Sequence, residues 1–535
     1  MSAKELARWA SLLWLVGCAD PATLSPPGGD DSVAPNADDS ASDDSAEDST
    51  DDSADDSATP KPGYLVVSAP DLLDAANEWA AWRAEVGFEA RVVSTTDLVT
   101  DPSDTPALVA AVQAELAGMW VDGQPLYLLL VGDAPARRTH SGWAIGALSC
   151  ENDLNGCYTD NRYGDLDGDG VPEVAIGRIP ARTPEQVRAA LDRTRDEEEH
   201  PTVGDYNRRV VFWAGPTGFD AQLTQIVESV VMQGLASVDP AYEILGIYGD
   251  PSSNYYAEPF EERVVGLLNE GASLSVYLGH GSSNESEGLS QAAVDQLDLG
   301  TRSPVMTLFA CYNGLYAGEA ESLAETLFFW DSGPAAVFAA AGETHPYANG
   351  VLPYELQSAV LTDTVARIGD AVVAAKHNAF LPADGDNVRE LLDLYARAEY
   401  GYSPDDLVRL LHQNVDLYNL MGDPALLLQR PASRVTLELG GRWRSGAVTV
   451  HGAVPDLDSG TAHLSFEVPR DVLLGHGSWE AAINTVVTSV DVDVEGGEFD
   501  AELDFDASAL PGDTFYVKVY ASNAETDAFG AVESP

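Results

Sequence analysis

From Gly63 onward the chain alternates short, mostly apolar strand-like runs with segments of helical periodicity, and few architectures satisfy that pattern. The runs fall at Tyr64-Leu65-Val66-Val67 and at 90–93, 126–131, 174–176, 210–213, 244–247, 274–278, 306–309 and 336–338. Between them, Leu72, Ala76, Trp79, Trp82 and Val86 recur at helical spacing, and 184–198 and 260–269 also read as helices. A strand that is apolar on both faces must be covered on both faces. The expectation is therefore an α/β body with a mostly parallel sheet between layers of helices. The order of the runs divides it into two subdomains, 63–200 and 201–430, with several helices up to about Gln413. After Pro431 the texture changes to short alternating strands, such as Val435-Thr436-Leu437-Glu438-Leu439, 447–451 and 515–520, separated by glycine-rich turns. Residues 431–535 are expected to form an immunoglobulin-like β-sandwich.

The first 62 residues carry no such pattern. Lys4 and Arg8 precede a short apolar run at 9–16, well below the roughly 20 residues that span a bilayer, so 1–18 reads as an export signal. The run ends in Leu15-Val16-Gly17-Cys18, which resembles a bacterial lipobox, with Ala19 rather than an inner-membrane retention aspartate after it. That resemblance implies a lipid on Cys18 and a place in the bacterial cell envelope, at the outer membrane or cell surface. Residues 19–62 form an acidic tether: between Asp30 and Asp56 stand twelve acidic residues and no Lys or Arg. Too few apolar groups are present there to offset the entropy of ordering, and like charges keep such a segment extended. The formal charge of the whole chain, -59, argues against a nucleic-acid partner and leaves carboxylates available to divalent cations.

The chain has four cysteines. Cys150 and Cys157 are close enough to pair in an oxidising compartment, and Cys18 is taken by lipid, so Cys311 is the one left to explain. In an open α/β sheet, reactive groups gather beyond the carboxyl ends of strands. Two strand ends carry them here. Residues 274–278 run into Gly279-His280-Gly281, and 305–309 run into Ala310-Cys311-Tyr312-Asn313-Gly314. A thiolate is a nucleophile, an imidazole can generate it, and the flanking glycines admit a substrate backbone. The tripeptide alone is not diagnostic, because Gly475-His476-Gly477 repeats it in the C-terminal region, where no cysteine accompanies it and a turn suffices.

Strand-His-Gly followed by strand-Ala-Cys resembles the caspase-like clan of cysteine peptidases, and the gingipain family within it most of all. Gly279-His280-Gly281-Ser282 and Ala310-Cys311-Tyr312-Asn313-Gly314 match that family. So do Leu130-Val131-Gly132-Asp133, Pro172-Glu173-Val174-Ala175-Ile176-Gly177-Arg178 and Tyr418-Asn419-Leu420-Met421-Gly422-Asp423-Pro424, in the family's order. The resemblance implies a caspase-like, doubly covered sheet and cleavage of protein or peptide substrates. Cys311 would attack the carbonyl, His280 would serve as general acid and base, and the amides of Gly281 and Cys311 would bind the oxyanion. It also maps onto Glu173 a glutamate that stands behind the histidine.

Glu173 has a second claimant. Asp165-Leu166-Asp167-Gly168-Asp169-Gly170 reads as a calcium loop, with oxygens at alternate positions and a glycine for the turn. Glu173 falls at its ninth position, while Ile176 occupies the place of an EF-hand's bidentate glutamate. Calcium at Asp165, Asp167 and Asp169 is expected, and Glu173 is open to either role. The region departs from gingipains at Glu343-Thr344-His345-Pro346-Tyr347, where the family places pocket residues, so an Arg or Lys preference does not carry over. The 19–62 tether is also too short and too polar for a gingipain pro-domain. Two other functions remain open on sequence: a non-catalytic adhesion protein on the same scaffold, and a transpeptidase-like enzyme using the same thioester.

Overall fold

The computed structural model describes residues 61–534, apart from 135–141, 151, 153, 217–237, 303–304, 362–364, 384–385 and 476. The expected export signal, the tether up to residue 60, Cys18 and His476 lie outside the described residues.

The apolar runs become β1 (Gly63–Ser68), β2 (Glu89–Ser94) and β3 (Leu126–Val131). A two-stranded ribbon of β4 (Leu148–Cys150) and β5 (Cys157–Thr159) follows, its strands joined by a Cys150–Cys157 disulfide. Next come β6 (Ala175–Ile179), β7 (Arg209–Ala214), β8 (Glu243–Tyr248) and β9 (Leu274–Leu278). A second ribbon, β10 (Glu285–Ser286) and β11 (Leu289–Ser290), precedes β12 (Val305–Phe309), β13 (Ala336–Ala340) and β14 (Tyr418–Met421). Ten of these strands form one sheet in the order β2-β1-β3-β6-β14-β13-β12-β9-β7-β8. Every neighbouring pair is parallel except β13–β14. The doubly covered, mostly parallel sheet read from the apolar runs is the one observed. β3, for example, is buried at every residue, which only helices on both faces allow.

Strands from 63–179 make up one end of the sheet and strands from 209–340 the other, and β14 is the strand between them. It was not legible as a strand, being four residues long with Asn419 in it. Its exit is fixed by charge: Asp423, fully buried, accepts from the Trp79 indole at 2.7 Å and the Arg83 guanidinium at 2.8 Å. Arg83 is equally buried and also pairs with Glu198 at 2.8 Å, so one cation serves two carboxylates, and Glu198 has Arg367 3.8 Å away as a second partner. Gly422 turns the chain at φ 126°, where a Cβ would stand 2.7 Å from the Ala335 carbonyl.

The helices start where their sequences cap them. Thr183 and Gln186 form a capping box before Pro184–Glu199, as do Ser322 and Glu325 before Leu323–Phe329 and Ser403 and Asp406 before Pro404–Leu417. No helix of the described residues is long and apolar enough to cross a membrane.

The C-terminal strands are β15 (Ser433–Arg434), β16 (Thr436–Arg442), β17 (Ala447–Ala453), β18 (Ser459–Glu467), β19 (Val486–Glu495), β20 (Glu498–Asp504), β21 (Tyr516–Ser522) and β22 (Asp527–Glu533). They run in the order β15-β22-β21-β18-β19-β20-β17-β16, but β19 and β20 pair only at their hairpin, Glu495 with Glu498. The sheet divides there into two layers around a separate core that includes Val448, Val450, Leu464, Phe466, Phe499, Leu503, Val517 and Val519, which is sandwich architecture. The sandwich docks beside β8, where Trp479 donates to the Gly246 carbonyl at 2.9 Å and Phe529 packs edge-on against Tyr242.

Candidate active site

β9 and β12 are parallel neighbours with Leu278 opposite Phe309, so His280 and Cys311 each stand two residues past paired strand ends, side by side at one edge. The Gly279 amide continues the ladder to the Phe309 carbonyl at 3.3 Å. Both glycines of Gly279-His280-Gly281 are forced by close approach. A Cβ at 279 would lie 2.5 Å from the Tyr277 hydroxyl, and one at 281 would lie 2.8 Å from Ala310 Cβ and 2.9 Å from Asn313 Nδ2. Gly281, expected to supply an oxyanion amide, therefore packs directly against the residue before Cys311.

Cys311 is fully buried. Tyr312 after it has φ 62°, the only non-glycine with positive φ among the described residues. Such a conformation persists only where neighbours over-determine it, and it recurs at functional sites. Here the Tyr312 amide donates to the Gly342 carbonyl and the Gly314 amide to the Ala340 carbonyl, both at 2.9 Å. The sulfur receives the Thr344 amide at 3.4 Å and faces the Thr344 hydroxyl at 3.4 Å. Asn349 Nδ2 donates to that hydroxyl at 2.7 Å, and the Tyr418 hydroxyl donates to Asn349 Oδ1 at 2.9 Å. The hydroxyl oxygen is thus already an acceptor, and its one proton is free to point at sulfur. The expectation that Cys311 is left unpaired is not met, because its sulfur is disulfide-bonded in this structure; in the reduced protein an amide and a hydroxyl aimed at the sulfur would stabilise negative charge on it.

Asn313, fully buried, ties the two loops together. Its Nδ2 donates to the carbonyls of Ser282, at 2.7 Å, and Glu285, at 2.8 Å. The His280 loop is thereby clasped from the Cys311 side. The His280 side chain is exposed, desolvation by the surrounding protein lowers its pKa, and its ring makes no hydrogen bond among the described residues. Thr344, Asn313 and Asn349 were not singled out by sequence. Thr344 and Asn313 lie within quoted motifs, but nothing in their spacing reveals that they meet the sulfur and the histidine loop.

One further expectation is revised by the geometry. Glu173 does not stand behind His280: its carboxylate accepts from the Leu166 amide at 2.7 Å and joins the aspartate loop. Three strands separate β6, which it precedes, from β9, roughly 19 Å at about 4.8 Å per strand. Burial first, and then the neighbouring carboxylates Asp167 and Asp165, raise the Glu173 pKa. In the 343–347 segment, His345 is buried, its pKa is pushed down to about 4 by desolvation, and it caps helix Pro346–Val360 by accepting from the Tyr347 amide at 3.2 Å. Glu343 instead approaches the site, since its carboxylate accepts from the Tyr312 hydroxyl at 3.3 Å and its carbonyl from Asn152 at 2.6 Å. These bonds hold the disulfide ribbon against the Cys311 loop.

Asp165, Asp167, Asp169 and Glu173 each offer an oxygen, all within 4.8 Å of one another. Gly168 and Gly170, at φ 82° and 95°, provide the turns, and their amides donate to Asp165 at 2.8 and 3.1 Å. An all-carboxylate set on a loop of this kind fits a hard divalent cation such as calcium.

Comparison with known proteins agrees with this arrangement. The family model for peptidase family C25 matches residues 57–429. Lys-gingipain W83 of Porphyromonas gingivalis is 26% identical over 226 residues, which are 41% of this chain and 12% of that protein. A second Lys-gingipain from the same species is 25% identical over the same length. The chain thus spans about an eighth of the length of the curated relatives it matches. Among solved structures, the complex of the Porphyromonas gingivalis RgpB pro- and mature domains superposes with TM-score 0.51 at 18% identity, covering 88% of this chain and 99% of that one. A structure described as a protease gives 0.53 at 14% identity, covering 88% and 97%. Those two likenesses are of fold, while the family match runs through both strand ends that carry His280 and Cys311: the chain belongs to peptidase family C25.

Proposed function

We propose that the chain is an exported cysteine endopeptidase, held at a membrane by lipid on Cys18, in which Cys311 and His280 form the catalytic dyad. The observation that supports this most is the register of β9 on β12, which sets both groups at one edge with the Thr344 amide aimed at the sulfur. In this reading the Cys311 thiolate attacks the scissile carbonyl, and the C–N bond breaks as the imidazolium of His280 protonates the leaving amine. Water, deprotonated by the same imidazole, then attacks the thioester, releasing the acid and regenerating the thiol. The amides of Gly281 and Cys311 are the proposed oxyanion donors. Substrates are proteins or peptides.

Cys311→Ala should abolish cleavage of denatured casein or a peptide library while leaving the melting temperature in place. His280→Ala should do nearly the same, and the double variant should be little worse than either, because the two act as one unit. Amine-capped rather than free carboxyl ends would reassign the chemistry to transpeptidation. Retained turnover in Cys311→Ala would overturn the assignment and bring the adhesion reading forward. A mature N-terminus at any residue other than Cys18 would remove the lipid anchor from the proposal. We further propose that Asp165, Asp167, Asp169 and Glu173 hold a calcium ion that stabilises the loop without entering the chemistry.

A further inference from the structure

The His280 ring has no hydrogen bond of its own among the described residues, so its direction is set by the main chain that carries it. That main chain rests on one buried hydroxyl. Tyr277, fully buried near the end of β9, donates to the His280 carbonyl at 2.6 Å and accepts from the Glu287 amide at 3.1 Å. A hydroxyl has a single proton, which goes to the shortest acceptor, and its lone pairs take the amide. The Glu287 carboxylate stands 3.4 Å from the same hydroxyl and faces the His280 amide. Both ends of the histidine's peptide framework, N–H and C=O, are therefore engaged from below.

Two glycines make room for this pair. A Cβ at Gly279 would meet the Tyr277 hydroxyl at 2.5 Å, and a Cβ at Gly215, just past β7, would meet Glu287 Oε2 at 1.5 Å. The cradle is built from the ends of two adjacent parallel strands and tolerates no side chain at either point.

We propose that Tyr277 and Glu287 are the positioning residues of the dyad, fixing the peptide on which His280 is presented to Cys311. The inference rests on the peptidase reading for its catalytic consequence and on the geometry alone for the clamp. Burial pushes the Glu287 carboxyl up to about 7, and the Tyr277 hydroxyl well above its ordinary value, so the tyrosine stays a donor throughout the working range. The titratable groups facing Glu287 are Tyr277 and Glu285, with the His280 backbone amide beside them, and Glu285 repels its ionised form. Protonating Glu287 replaces an acceptor facing the His280 amide with a weaker one, so the clamp loosens as pH falls through about 7.

The test compares wild type, Tyr277→Phe and Glu287→Gln by kcat and KM per intact protein. In parallel, the rate at which iodoacetamide alkylates Cys311 is followed against pH, under reductant and read by mass spectrometry of the Cys311 peptide. Tyr277→Phe should lower kcat about tenfold or more with KM nearly unchanged, and should shift the pH midpoint of alkylation towards that of His280→Ala. Glu287→Gln leaves a neutral, weaker acceptor at every pH, so its kcat/KM at neutral pH should fall towards the wild type's acid-side level and its profile should lose the acid limb that Glu287 imposes. Should Tyr277→Phe fail to fold, Glu287→Gln still decides. Alkylation profiles and acid limbs that superimpose on wild type in the folded variants would overturn the proposal. A wild type that cleaves nothing, yet shows an alkylation midpoint dependent on His280 and Tyr277, would sink the peptidase reading and leave the clamp standing.

Discussion

Asn313→Ala removes one side chain and separates the two loops that carry the proposed dyad. The two bonds lost, to the carbonyls of Ser282 and Glu285, measure 2.7 and 2.8 Å. A net contribution of about 1 kcal/mol each gives roughly 2 kcal/mol, towards the low end because water can reach the vacated carbonyls. For a body of this size an unfolding entropy of roughly 0.8 kcal/mol per K turns that into a melting shift of about 2–3 °C. Activity should suffer far more than stability. Displacing a catalytic group by about 1 Å can cost 10²-fold, and Asn313 is what holds the His280 loop to the Cys311 loop. The expected result is a kcat/KM reduced about a hundredfold in a protein that melts within a few degrees of wild type, read by fluorogenic peptide hydrolysis and differential scanning fluorimetry. An Asn313→Ala variant with kcat/KM within threefold of wild type would refute the clasp, whatever its melting temperature.

Gly281→Ala should lower activity at least tenfold, because its Cβ would stand 2.8 Å from Ala310 Cβ and one of the two must move. Gly266→Ala, in the interior of helix Phe260–Glu270 with nothing within 4 Å of its Cβ, should instead stabilise by up to about 1 kcal/mol with unchanged turnover. Glu197 is buried and desolvation pushes its carboxyl up to about 8, so between the unfolded value near 4.5 and about 8 the unfolded chain holds fewer protons. Its contribution to stability is present at low pH and lost as pH rises through that window. Glu197→Gln should therefore raise the melting temperature at pH 8 relative to wild type and do little at pH 4.5; an equal effect at both would contradict the assignment. Calcium should raise the melting temperature, by about 2.7 kcal/mol of stability at a hundredfold excess over Kd, and Asp165→Asn with Asp169→Asn should erase the difference between calcium and chelator. Curves indifferent to both would remove calcium from that loop.

The parts of this molecule that were legible in sequence are those that repeat a local rule. β9 and β12 are mostly apolar runs, each with a single hydroxyl residue (Ser275, Thr307), and the residues just past them are reactive, so a parallel sheet leaves them at one edge. β14 breaks the rule, with four residues including Asn419, and is defined by its neighbours and by Asp423 reaching Arg83 and Trp79, more than three hundred positions earlier. Glu173 shows the converse difficulty. A single carboxylate satisfied two sequence patterns, and only the strand order, with three strands between β6 and β9, separates them. Tyr312 carries no mark of its positive φ, since bulky side chains disfavour that conformation and only the surrounding bonds to Gly342 and Ala340 impose it.

The two halves of the proposed dyad are held very differently, and the difference suits the tasks proposed for them. Around Cys311, residues 342–344, Asn349 and Tyr418 converge from separate segments, so the sulfur has one position and a prepared set of donors. Around His280 the main chain is pinned by Tyr277 and by Asn313 acting on the following loop, while the ring itself is left unbonded and exposed. A nucleophile forms one bond at one place and gains from fixed geometry. A general acid and base must serve the thiol, then the leaving amine, then water, at positions that differ by an ångström or more, and gains from a fixed pivot with a ring free to turn. Substitutions near Cys311 should accordingly show themselves in the acylation rate alone, and those beneath His280 in acylation and deacylation together. Burst kinetics with an ester substrate separates the two: Thr344→Val should depress the burst and spare the steady phase, and Tyr277→Phe should depress both.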